Sequence, residues 1–172
     1  MTRQGATGGS KTRSRLSEPR SNVVSTLPML ALARDLAARA AECGREGHPV
    51  VLAIDGPGCS GKTTLADSLG VLTDSVVLAT DDFHTPPGWP VEADSPLPYR
   101  RWRSLVASFQ SLRRGAAAVI EPFDWQTRSL LPPKAIVPAP LIVVEGIASL
   151  HPDIAALAHL RVWVDCHAYT RL

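Results

Sequence analysis

Residues 50–63 constrain the fold more than any other stretch. Val50-Val-Leu-Ala-Ile-Asp55 is almost continuously apolar and runs straight into Gly56-Pro-Gly-Cys-Ser-Gly61-Lys62-Thr63. A strand without polar alternation belongs in a parallel sheet covered on both faces. The segment after it reads G-x-x-x-x-G-K-[ST] and leads into a stretch with helical character, from Thr63 to Leu69, which is the context that motif needs. Its glycines permit backbone angles and close approaches that side chains would block, so successive N–H groups turn inward as an anion nest at a helix N-terminus. Gly56, Pro57, Gly58, Cys59, Ser60, Gly61, Lys62, Thr63 and Thr64 are therefore the expected cradle for the phosphates of ATP. Lys62 brings a mobile charge to the β and γ phosphates, and Thr63 a hydroxyl for Mg²⁺.

Similar apolar runs recur at 76–79, 141–144 and 160–164, with helical stretches at 103–114 and 153–158. A further helix is expected from Thr26, where Leu27, Leu30, Ala31, Arg34, Ala37, Ala38 and Ala41 keep helical spacing. Ser25 or Thr26 would cap it, with Pro28 in the first turn, and Gly44 or Gly47 would end it. Buried strands alternating with helices imply an α/β fold: a parallel sheet of about four or five strands flanked by helices, of the P-loop NTPase type, with ligands at the carboxyl ends of the strands. Two proline-rich segments, 84–99 and 123–140, break the rhythm and are expected to be substrate-side loops.

At 172 residues the chain suits one domain. Residues 1–25 carry a net charge of +4 and the remainder −2, so the basic balance belongs to a polar tail expected to be disordered, and 26–172 form the domain. The body has no general attraction to nucleic acid. No apolar run reaches membrane-spanning length and the start lacks a secretory core, so a cytoplasmic protein is expected, with a transit peptide the weaker reading. Cys43, Cys59 and Cys166 are widely spaced and form no CxxC pair, which points to reduced thiols rather than a disulfide framework or zinc site. Cys59, inside the nest, is a candidate for oxidation.

The second strand ends in Thr80-Asp81-Asp82-Phe83-His84 and the third in Glu145-Gly146, placing carboxylates at the sheet edge that holds the phosphates. There a carboxylate can ligate Mg²⁺ or accept the proton of an attacking hydroxyl; capping a turn is the alternative for Asp81 and Asp82. The only asparagine is Asn22, so a GTPase-type NKxD base reader is absent, as is an LSGGQ-like signature. Small-molecule phosphoryl transfer remains.

Asp55–Thr64, Thr80–His84, Pro122-Phe-Asp-Trp125, Val143-Val-Glu-Gly-Ile147 and Val162-Trp-Val-Asp165 together resemble the uridine kinase and phosphoribulokinase group, particularly its small bacterial uridine kinase-like members, in order over 49–172. The resemblance implies that Asp81 is the catalytic acid that contacts the acceptor hydroxyl near Mg²⁺. It makes Glu145 the acid that organises the metal, with Thr63 its P-loop ligand, and Lys62 the phosphate-binding catalytic lysine. Phe123 and Asp124 fall where the group has a Tyr-Asp pair at the nucleoside, so Asp124 would hold a sugar hydroxyl while Phe123 or Trp125 stacks on a base. For Trp125, as for Trp89, Trp102 and Trp163, packing is the other role. Asp82, His84 and Arg128 complete the expected acceptor side, although Gln126-Thr127-Arg128 stands where the group usually reaches a His, and His84 is otherwise a solvated loop residue. After its Arg-Leu pair the group continues into an arginine-rich lid, whereas this sequence stops at Arg171-Leu172, so the domain is expected to be incomplete there. Arg100, Arg101 and Arg103 would then either substitute for lid arginines or form a solvated basic cluster.

The expected activity is ATP- and Mg²⁺-dependent transfer to a hydroxyl of a nucleoside or similar small molecule, with a homo-oligomer compatible. The alternatives are a nucleotide-binding module without transfer, and a kinase for a non-nucleoside alcohol.

Overall fold

A computed structural model describes residues 27–44 and 48–166. The expected tail, the caps at Ser25 or Thr26, the stop at Gly47 and the closing Arg171-Leu172 lie outside these residues. The first helix, α1 (Leu27–Cys43), precedes strand β1 (Val50–Asp55) and helix α2 (Lys62–Leu72). Strand β2 (Ser75–Ala79) then passes into a 3₁₀ turn over Thr80–Phe83. After the first proline-rich segment come α3 (Trp102–Arg113), β3 (Ala118–Ile120), β4 (Phe123–Asp124), β5 (Ser129–Leu130), β6 (Lys134–Ile136) and β7 (Leu141–Glu145). The short helix α4 (Pro152–Ala155) and strand β8 (Leu160–Trp163) complete the order.

The main sheet is parallel, in the order β2-β7-β1-β8. Its register sets the site: Ala79 of β2 and Ile54 of β1 both lie opposite Glu145 of β7. The carboxyl ends of three strands therefore stand side by side at one edge.

Both faces of the sheet are covered, which explains the unbroken apolar runs. Val51 and Ala53 face one core cluster, with Leu78, Leu105, Phe109, Ile142 and Val144. Val50, Leu52 and Ile54 face the other, with Ala33, Leu36, Leu65 and Leu69 from α1 and α2. Side chains alternate across a strand, so a strand with helices on each side needs apolar residues at every position.

The strands and helices of this layered body match the periodicity to within a residue or two, except that α2 runs on to Leu72 past Leu69 and α4 ends at Ala155 instead of reaching Ala158. The larger correction concerns 123–140, which is not a loop: β4 pairs antiparallel with β5, and β6 with β3. Strands of two or three residues are too short to show a period of two, and prolines at 132, 133, 138 and 140 between and around them masked the rest. Residues 84–99 do lack helix and strand, but they are tied down by Thr85 N–H donating to Tyr99 O (2.9 Å) and by a bridge between His84 and Arg100. Among the described residues no helix is long and apolar enough to cross a membrane.

Candidate phosphate-binding and acceptor site

The loop after β1 turns through left-handed or open angles at Gly56 (φ 147°), Cys59 (φ 57°) and Gly61 (φ 97°). Gly56 cannot be replaced without displacement, because a Cβ there would sit 2.0 Å from the carbonyl oxygen of Val164. Asp55, to which the sequence reading assigned no role, anchors the start of the turn. Its buried carboxylate accepts Gly56 N–H at 2.7 Å and Leu150 N–H at 3.0 Å, tying the loop to the segment after β7. Ser149 reinforces that tie by donating to Ile54 O at 2.6 Å. The only sequence signal for either was the position of Asp55 at a strand end.

Lys62 is buried, and its ammonium donates to Pro57 O at 2.7 Å, folded back across the mouth of the loop. Thr63 and Thr64 are exposed on the first turn of α2, while Ser60 is buried with its hydroxyl unpartnered among the described residues. From Thr63, Oγ1 donates to Glu145 Oε1 at 3.2 Å, linking the loop to the end of β7. The other carboxylate oxygen, Oε2, is buried with no hydrogen-bond partner among the described residues. Burial pushes the Glu145 carboxyl above the ordinary carboxylate range; the Thr63 hydroxyl opposes the rise, Asp81 adds to it and Lys62 counters it. Lys62, Thr63, Asp81 and Glu145, named from three separate segments of the sequence, are therefore gathered within one electrostatic neighbourhood.

An orphaned carboxylate oxygen beside a hydroxyl, with a second carboxylate close by, is a hard-oxygen donor set that suits Mg²⁺ together with water. Gly146 follows Glu145 at the end of β7. A Cβ at this residue, whose φ is 127°, would lie 2.0 Å from Thr80 Oγ1, so the chain can leave β7 against β2 only as glycine.

Asp81 lies on the 3₁₀ turn after β2, with its side chain 59% exposed, and pairs with Arg100. Neither Asp81 nor Asp82 supplies a side-chain cap to that turn. Asp82 faces different company: burial pushes its carboxyl up, Lys134 pulls it down, Asp81 adds to the rise and Arg101 opposes it.

Arg100 and Arg101 overturn the reading of a solvated basic cluster, being 3% and 4% exposed. Arg101 donates to the carbonyls of Asp82 (3.0 Å), His84 (3.4 Å) and Glu121 (2.5 Å), stitching the turn to the strand end before β4. Only Arg103 is exposed, paired with Asp94 at 2.6 Å. A signal for this was present: cations just before a helix face the unfavourable end of its dipole, so two arginines there imply partners elsewhere in the fold.

His84 is likewise not a solvated loop residue. Its ring stacks on Tyr99 (5.3 Å) and lies 4.8 Å from both Phe123 and Trp125, which are 5.1 Å apart in edge contact. Core packing accounts for Trp102 alone among the four tryptophans; Trp89 and Trp163 are exposed, and Trp125, 59% exposed, forms the open side of the aromatic group. Asp124 is engaged within the β4–β5 turn, accepting Gln126 N–H (2.9 Å) and Thr127 Oγ1–H (2.7 Å). The Thr127 hydroxyl and then the Gln126 amide hold its carboxyl below the usual range. Arg128 is exposed in the same turn with φ 54°. Cys43, Cys59 and Cys166 are free thiols.

A glycine-rich nest between the first strand and its helix, with acids at the ends of two neighbouring parallel strands, defines an α/β P-loop NTPase fold. No protein-family model matches the chain. It is 30% identical over 158 residues to uridine kinase-like protein 3 of Arabidopsis thaliana, an alignment that covers 84% of this chain and 34% of that protein. The chain thus spans about a third of the length of the curated relative it matches. In structure it is similar to a possible uridine kinase from Bacillus stearothermophilus (TM-score 0.66, 18% identity, covering 83% of this chain and 84% of that one). It is also similar to a candidate fructose transport system kinase from Silicibacter sp. TM1040 (TM-score 0.62, 16% identity, 83% and 77% covered). The resemblance to uridine kinase-like P-loop proteins read from the motifs is borne out in sequence and in fold.

Proposed function

We propose that this chain carries the core of an ATP- and Mg²⁺-dependent kinase that transfers the γ-phosphoryl group to a hydroxyl of a nucleoside-like small molecule. The observation that carries the reading is the meeting of Thr63, at the start of α2, with Glu145, at the end of β7, beside Asp81. Thr63 and Glu145, beside Asp81, would hold Mg²⁺, which when bound neutralises charge on the β and γ phosphates.

The chain's own groups divide the remaining work. Loop amides from Gly56 to Thr64 bind the phosphates, and Lys62 releases Pro57 O to reach them. Asp81 accepts the proton of the acceptor hydroxyl as that oxygen bonds to the γ-phosphorus and the bond to the β–γ bridging oxygen breaks. His84, Phe123 and Trp125 offer a stacking surface for a flat acceptor, while Asp82, Asp124 and Arg128 supply polar groups around it. Catalysis here is positioning and electrostatics, with no covalent enzyme intermediate.

ADP release measured across a panel of nucleosides and sugars tests the proposal, with titration calorimetry of ATP alongside. Acceptor-dependent turnover that falls to a small residual rate in Asp81→Asn while ATP affinity persists is the expected result. ATP binding without turnover for any acceptor would reduce the chain to a nucleotide-binding module, and an active Asp81→Asn protein would remove Asp81 from its role.

A further inference from the structure

Arg100 differs from its neighbour in what it holds. Arg101 spends its guanidinium on main-chain carbonyls, whereas Arg100 places one arm on Thr80 O (Nη1, 2.9 Å) and the other on Asp81 Oδ1. This guanidinium is almost wholly buried while the carboxylate it grips is more than half exposed. A buried cation is costly unless firmly paired, and Nε finds no hydrogen-bond partner among the described residues. The fold nevertheless places Arg100 with care. Its N–H donates to Leu97 O at 3.1 Å, the next residue's N–H donates to Phe83 O at 2.8 Å, and its guanidinium carbon lies 5.5 Å from the centre of the Tyr99 ring.

An exposed aspartate on a short turn has little else to select its rotamer. The two arms of a planar fork, fixed at once to the carbonyl of residue 80 and to one carboxylate oxygen of residue 81, restrict the orientations open to that carboxylate. Oδ1 is engaged, and Oδ2 has no hydrogen-bond partner among the described residues.

We propose that Arg100 is a positioning residue: it holds Oδ1 of Asp81 so that Oδ2 faces the acceptor hydroxyl. The inference rests on the kinase reading above. It assigns to this buried arginine an effect on turnover and none on nucleotide binding, because misplacing a reacting group by about 1 Å can cost on the order of 100-fold in rate.

The test uses Arg100→Met, Arg100→Lys, Asp81→Asn and the Arg100→Met/Asp81→Asn double variant, with kcat, both KM values and ATP affinity measured for each. Arg100→Met is expected to lower kcat roughly 10- to 100-fold while KM for ATP and ATP affinity stay unchanged. Arg100→Lys, which restores the charge without the fork, recovers part of that loss. In the Asp81→Asn background the Arg100 change has no further effect on residual turnover. Equal losses in both backgrounds, an unchanged kcat, or a loss that follows ATP affinity would overturn the proposal. Should the wild type turn over no acceptor, the kinase reading fails by itself. Crystal structures then decide the orientation: Asp81 holding one rotamer in wild type and several in Arg100→Met upholds it, and the same single rotamer in both overturns it.

Discussion

Thr63 Oγ1 donates to Glu145 Oε1 at 3.2 Å across 82 residues of sequence, and this bond joins the phosphate-binding loop to the strand beside it. The partner oxygen, Oε2, is left buried and unpaired among the described residues. A carboxylate in that situation destabilises the metal-free protein and serves it only when something positive arrives.

Glu145 thus gives a pH signature. Burial is the main cause of its raised pKa, so the folded protein holds this proton at pH values where the unfolded chain has lost it. Its stabilising contribution is full below the ordinary carboxylate range and is lost as pH rises through the raised value. In EDTA near neutral pH, Glu145→Gln is therefore expected to melt higher than wild type, the gap closing as pH falls. The same change is expected to raise the Mg²⁺ concentration needed for tight ATP binding by roughly tenfold or more, read by calorimetry at several Mg²⁺ levels.

Lys62 is already folded toward the loop, its ammonium on Pro57 O at 2.7 Å. Lys62→Ala removes a charge-assisted hydrogen bond to phosphate worth about 1.5–3 kcal/mol, so ATP affinity should fall roughly 10- to 100-fold. Calorimetry measures the fall, and affinity within twofold of wild type would separate Lys62 from the phosphates.

Gly146→Ala sets a methyl group 2.0 Å from Thr80 Oγ1 at a φ of 127°. Overpacking and the backbone conformation together should cost about 2–4 kcal/mol, measured by denaturant unfolding. Thr80→Ala in the same chain removes the closest atom and is expected to restore part of the loss, because the backbone strain remains.

Trp125 is 59% exposed and meets His84 and Phe123 in edge-type ring contacts. Trp125→Ala is expected to leave the melting temperature and KM for ATP almost unchanged while raising KM for a flat acceptor. A loss of about 1–3 kcal/mol, typical of base stacking, corresponds to roughly 5- to 150-fold. Steady-state kinetics with nucleoside and sugar acceptors measures it, and a rise confined to nucleosides identifies stacking as the cause.

Much of the molecule was legible from one dimension. The runs beginning at Val50, Val76, Leu141 and Leu160 announced a sheet covered on both faces, because such strands need no polar positions. The glycine motif and the acids at positions 81 and 145 announced the edge where the site lies, since parallel strands deliver their carboxyl ends to one side. These are local properties: an unbroken apolar run, a left-handed turn, a charge at a strand end. Only the three-dimensional packing decided that Arg100 and Arg101 are buried, that Asp124 is engaged by its own turn, and that His84 lies among Tyr99, Phe123 and Trp125. It also made strands of Ala118–Ile120 and Lys134–Ile136, each too short to declare itself and stable only through the other. A side chain's partner across 20 or 80 residues depends on how layers stack, and no pattern along the chain encodes that distance.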